Sequence, residues 1–137
     1  MTETIILEEN YVKVSYIHNR KLIQMIWNGT FSNEQYQKAF VTGLDFQAIS
    51  GVPIYNFLSD IRNQGIVNPE NRKWFESYGV SRAVKQGLRR AAVVFDGNIF
   101  KKYYLNIILQ VTNKFQLPFK FFSTIEDAYA WFDSFEE

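Results

Sequence analysis

Three short stretches that read as strands, Ile54 to Leu58, Leu88 to Phe95 (its second half continuously apolar) and Phe119 to Phe122, are kept apart by stretches whose apolar residues recur at helical spacing. Such a strand–helix–strand succession closes into parallel pairs, because a crossover is needed to bring the chain back to the same end of the sheet. The crossover is right-handed by the usual rule. The chain before Ile54 reads differently. Tyr11 to Ile17 alternates Val12, Val14 and Tyr16 with Lys13 and Ser15, the period of a half-exposed strand. His18-Asn19-Arg20 makes a tight turn, with Asn19 suited to a left-handed backbone, and Lys21 to Trp27 returns antiparallel. Residues 4–7 add a short edge strand. The expected fold is α/β: a mixed sheet with an N-terminal antiparallel hairpin followed by βαβ crossovers and four helices.

The helix ends are marked by their own chemistry. Asn28-Gly29-Thr30 breaks the second strand, and Ser32 with Gln35 forms a capping box. Tyr36, Ala39, Phe40, Leu44 and Ile49 then recur at helical spacing until Ser50-Gly51-Val52-Pro53 closes the helix. Asn68 caps the next helix and Pro69 takes its first position, where the missing N–H costs nothing. Trp74, Phe75 and Tyr78 give that helix an apolar face, Gly79 is a point of interruption, and Gly87 ends it. Asp96-Gly97-Asn98 is a turn. Over Ile99 to Phe115, Phe100, Tyr103, Tyr104, Ile107, Ile108 and Val111 form one stripe. Ser123 with Glu126 is a second capping box, opening a helix with Ala128, Trp131 and Phe132 inward.

A chain of 137 residues is expected to form a single domain, 1–137, with one core. Its 24 aromatic residues (13 Phe, 8 Tyr, 3 Trp) exclude disorder for most of its length. The net charge of +1 gives no bias toward nucleic acid or acidic membranes. With no cysteine, thiolate metal sites and thiol nucleophiles are excluded. MTETIILEEN lacks the pattern of a signal peptide, and no apolar run is long enough for a membrane span, so the cytoplasm is the expected location.

The segments IWNGTFSNEQYQKAF, SDIRNQGIVNPENRKWF, GLRRAAVVF and FKFFSTIEDAYAWF resemble small bacterial proteins of the SpoIIAA-like, or STAS-type, fold. They are similar in particular to the small uncharacterised single-domain members of Bacteroidetes-type bacteria. The resemblance covers about Lys21 to Phe135. It implies a non-enzymatic interaction module that regulates or scaffolds a protein partner. Known members of that fold are anti-sigma-factor antagonists, switched by phosphorylation of a serine that follows an aspartate at a helix N-terminus. Here the stretch between Asp60 and Trp74 holds no serine or threonine, and Asn68 occupies the cap, so the phospho-acceptor is missing. The same fold is grouped with lipid-transfer domains of the CRAL-TRIO type, which implies an alternative: a binder of a small apolar or lipid-like ligand.

In an open α/β sheet, ligands and partners meet the carboxyl ends of the strands. That directs attention to the end of the Ile54–Leu58 strand, where Asp60-Ile61-Arg62 forms a polar cluster before a loop. Asp60 and Arg62 are two residues apart and share a strand face, with Gln64 near them. They read as a polar binding site or, more plainly, as an ion pair that anchors the loop. An enzyme using Asp60 as a general base ranks third. Tyr103 and Tyr104 could rim a ligand pocket between their helix and the sheet or form a homodimer contact; the plainer expectation is a packed core. The basic residues Arg72, Lys73, Arg82, Lys85, Arg89, Arg90, Lys101 and Lys102 are expected on a solvated face balanced by Glu126, Asp127 and Asp133. His18, the one histidine, is expected to be a solvated turn residue, and no phosphate-cradling glycine motif occurs. The pattern calls for no catalytic residue, metal or cofactor.

Overall fold

The computed structural model describes residues 2–135. Its six-stranded sheet has the order β1-β2-β3-β4-β5-β6, so every strand lies beside its neighbour in sequence. The strands are β1 (Glu3–Glu9), β2 (Val12–Ile17), β3 (Leu22–Gly29), β4 (Asn56–Gln64), β5 (Arg90–Val94) and β6 (Phe119–Phe122). β1, β2 and β3 are paired antiparallel, and β3 through β6 are paired parallel. Each parallel step carries a helix: α1 (Asn33–Ile49), then α2 (Pro69–Trp74) continuing through a π turn (Phe75–Gly79) into α3 (Val80–Lys85), then α4 (Ile99–Lys114). α5 (Ile125–Asp133) follows β6. With α2 and α3 joined in one rod, the chain is an α/β protein with four helical rods on a mixed sheet.

Because the crossovers advance in one direction and share one hand, α1, α2–α3 and α4 fall on the same face of the sheet. Their core joins Val14, Met25 and Trp27 from the strands to Tyr36, Phe40 and Leu105 from the helices. α5, released from the crossover constraint, covers the other face with Ala128 and Phe132 against Leu22, Leu58, Ala92 and Val94.

Several local expectations change. The edge strand spans Glu3–Glu9 and makes the N-terminal part a three-stranded meander. At the His18–Arg20 turn the left-handed residue is Lys21 (φ 51°), not Asn19. β3 runs through Gly29 rather than breaking at Asn28. β4 does not end before Asp60 but continues to Gln64, because β3 pairs with it that far, Gly29 opposite Gln64. Polar side chains do not end a strand whose backbone still has a partner. The Ser32–Gln35 capping box forms, and Asn68 caps α2 by accepting from the Asn71 N–H. Gly79 closes the π turn, where a Cβ would meet the Phe75 ring at 3.2 Å. At α5 the cap is Thr124, one residue later than expected, accepting from the Asp127 N–H.

Two apolar stripes are placed differently. Ile49, the last member of the α1 stripe, is 82% exposed. On α4, Phe100 (74% exposed) and Tyr103 (69%) face outward, and the buried residues are Leu105, Ile108 and Thr112. At about 100° per residue, the helix is turned roughly a quarter turn from the face its aromatics suggest.

Candidate functional site

At the carboxyl end of β4, Asp60 is buried and its carboxylate is held entirely by Arg62. The Arg62 backbone N–H and Nε donate to Oδ1 at 3.1 and 3.0 Å, and Nη2 donates to Oδ2 at 2.7 Å. This bond to Asp60 is the main reason that the Arg62 guanidinium is raised above its ordinary value. A carboxylate with both oxygens occupied by one neighbour fixes local geometry. The ion pair of the plainer sequence reading forms, with both partners inside β4.

Gln64 does not join that pair. The register slips between Ile26, opposite Asp60, and Asn28, opposite Asn63: two residues of β3 are matched by three of β4. A bulge of this kind reverses the alternation of side chains beyond it. Gln64 therefore turns to the face covered by α1, α2–α3 and α4, where it lines a cavity.

The cavity has a volume of about 90 Å³ and extends from the sheet to all of those helices. Its strand floor includes Ser59 and Ala91, and its helix walls include Gly43, Gly79 and Ala83. These small side chains leave space between elements that larger ones would fill. The cavity stays well below the roughly 300 Å³ that a drug-sized ligand needs. The part given to Tyr103 is corrected: it points to solvent while Tyr104 lines the cavity. Tyr36, from the α1 stripe, meets Tyr104 there. Burial is the largest of the influences that push both phenols well above their ordinary value. Arg72 lies over the Tyr104 ring, 5.7 Å from its centroid. The other polar lining groups are engaged with protein: the Ser59 hydroxyl accepts from Trp27 Nε1 at 3.1 Å, and Gln47 donates to the Ala83 carbonyl at 3.2 Å.

The remaining sequence candidates lie elsewhere. Asn68 is a structural cap whose carboxamide also donates to Asn33 Oδ1. His18 bonds the Thr4 hydroxyl through Nε2 at 2.6 Å on the surface. The basic residues do not form one solvated face. Arg90 is buried and donates to Asn56 Oδ1 at 2.8 Å, Arg89 stacks 3.6 Å over the Tyr55 ring, and Arg82 pairs with Asp45 at 2.7 Å. Asp133, expected to balance that run, pairs with Arg20 instead. Lys101 donates to the Ile61 carbonyl at 2.7 Å and so pins the start of α4 to the end of β4. Around that point Ile66, Ile99, Phe100 and Tyr103 are left exposed. Among the described residues there is no cluster of His, Cys, Asp or Glu able to hold a metal, and no helix long and apolar enough to cross a membrane.

Sequence reasoning missed Ser59, Ala91 and Ala83 as cavity residues. Their signal was small size inside otherwise bulky apolar patterns. No family model, curated protein or solved structure matches this chain.

Proposed function

We propose that this chain is a cytoplasmic, non-enzymatic interaction module of STAS type that binds a protein partner across the carboxyl ends of its parallel strands. The observation that carries the reading is the exposed apolar group at that rim. Ile99, Phe100 and Tyr103 share the first turns of α4, and Ile66 lies in the loop that follows β4. Large apolar side chains gathered on a surface mark interaction sites, and aromatic residues are enriched in the centres of such interfaces. The partner would present an apolar patch of its own.

The reading also implies a module without the phosphorylation switch. The loop from Asp60 to Trp74 has no hydroxyl side chain. Ser59, the nearest one, is buried beneath Trp27 with its oxygen already accepting a hydrogen bond.

The test compares proteins recovered from cells that naturally make the chain by wild type, by the double variant Phe100→Ser/Tyr103→Ser, and by Ile5→Ser on the far edge strand. A partner should be recovered by wild type and Ile5→Ser. With that partner purified, calorimetry should give at least tenfold weaker binding to the double variant, the effect of losing an aromatic hot spot. A partner bound equally well by the double variant would remove this rim as the interface.

A further inference from the structure

We propose that the cavity beneath α1, α3 and α4 is a binding site for a small, uncharged molecule, apolar except for one hydrogen-bonding group and no larger than about a single six-membered ring. The inference stands apart from the partner reading, because it rests on the interior of the helix layer and not on its rim.

Size sets the first limit. Voids larger than a water molecule are few in protein cores, and one of about 90 Å³ is large enough for several water-sized groups. It is smaller than an engineered cavity of about 150 Å³ known to take benzene, and far below the roughly 300 Å³ at which drug-sized ligands begin. An acyl lipid does not fit, and a compact ring is the upper limit.

Chemistry sets the second limit. No acidic or basic side chain lines the cavity, so a charged ligand would lose its hydration without a counter-charge. The walls are mainly apolar, with the polar groups confined to a few positions. Gln64 is only 9% exposed, lines the cavity, and its carboxamide has no hydrogen-bond partner among the described residues. Its amide atoms are not among the buried side-chain atoms that lack a partner among the described residues, so the amide keeps accessible surface and is free to bond a molecule in the cavity. Tyr36 and Tyr104 both line the cavity, and each carries a hydroxyl proton that it can donate. The cavity therefore offers a carboxamide and a phenol O–H to one polar group, and apolar contact to everything else.

The strand pairing supports the same assignment. The bulge that turns Gln64 inward is the one feature of β4 that departs from regular pairing, and bulges recur where a side chain must be re-aimed.

The test uses phenol, benzene and benzoate as probes, each titrated into the full chain and followed by the backbone amide resonances of Gln64, Ala91 and Leu105. Phenol and benzene should shift these amides, and benzoate should not. Gln64→Leu, close in volume, should weaken phenol about tenfold, the effect of one hydrogen bond lost in a dry site, and leave benzene unchanged. Ala83→Leu should abolish both by filling the space. If that variant does not fold, Ala91→Val fills the floor from the strand side. Absence of any shift with phenol and benzene, binding of benzoate as strong as that of phenol, or phenol affinity indifferent to Gln64→Leu would each overturn the proposal.

Discussion

The two faces of the sheet are built from alternate residues of the same strands, yet they pack differently. On the α5 face, Leu22, Leu58, Ala92 and Val94 form one buried cluster with Ala128 and Phe132. On the other face, Ser59 and Ala91 are small, and the space over them stays open. The helices of that layer brace one another: Arg82 of α3 bonds Asp45 of α1, Gln86 bonds both Gln47 and the Leu44 carbonyl, and Trp74 packs on Phe40. A layer locked to itself does not sink onto a small-residue floor. The polar groups follow the same division. On the α5 face, Gln24 is answered by Tyr129 and Asp60 by Arg62, whereas Gln64 on the helix-layer face is unanswered among the described residues.

The sharpest way to break this contrast is to remove volume where packing is complete. Phe132→Ala on α5 should lower unfolding stability by about 3–5 kcal/mol in urea denaturation, since the site has no slack into which to collapse. A loss under about 1 kcal/mol would mean that this face is as loose as the other. Next comes the ion pair at the end of β4. Asp60→Asn should cost about 1–3 kcal/mol, the scale of a broken charge-assisted hydrogen bond, with partner binding reduced only in proportion. Unchanged stability with binding abolished would instead make Asp60 a functional contact.

Adding volume tests the contrast from the other side. Ala92→Val should overpack the α5 face and cost about 1–3 kcal/mol. Ala91→Val, one residue earlier, should change stability by less than about 1 kcal/mol, because its new methyl groups enter the cavity. Equal penalties, measured by the same denaturation, would show the cavity to be closed in solution.

A smaller effect is confined to high pH. Burial raises the folded-state pKa of Tyr36 and Tyr104 above the ordinary phenol value of 10.0. Below that value both states hold the proton and the stability is complete. As pH rises above it, the unfolded chain ionises while the folded phenols stay neutral, so stability falls toward the folded-state values. Tyr104→Phe should flatten this decline in melting temperature; a decline of unchanged slope would place its cause elsewhere. The smallest expected effect is none at all: a serine kinase acting on the folded chain should leave Ser59 unmodified, and phosphate at that residue by mass spectrometry would contradict its burial under Trp27.

Much of the architecture could be read from local chemistry. The Ser32–Gln35 box and the Asn68-Pro69 start work through neighbours three residues away or fewer, and the structure has both. The parallel pairing of the last strands follows from helical stretches between short apolar runs, which is again a property of sequence order. The candidate site was legible only in part. Asp60 and Arg62 form their pair because two residues apart on a strand is a local relation, and Tyr104 was marked for a pocket rim. Gln64 was assigned to the wrong face because a bulge depends on the partner strand, and no residue of β4 announces how β3 will pair with it.

By itself, then, the sequence determined the element order and the caps at Ser32 and Asn68, which rest on covalent continuity and short-range hydrogen bonds. The tertiary structure decided the rotation of α4, the burial of Arg90, the side on which Gln64 lies and the opening of the cavity. Each of these depends on which surface arrives opposite a side chain. Periodicity states which residues share a face, and only docking states what that face meets.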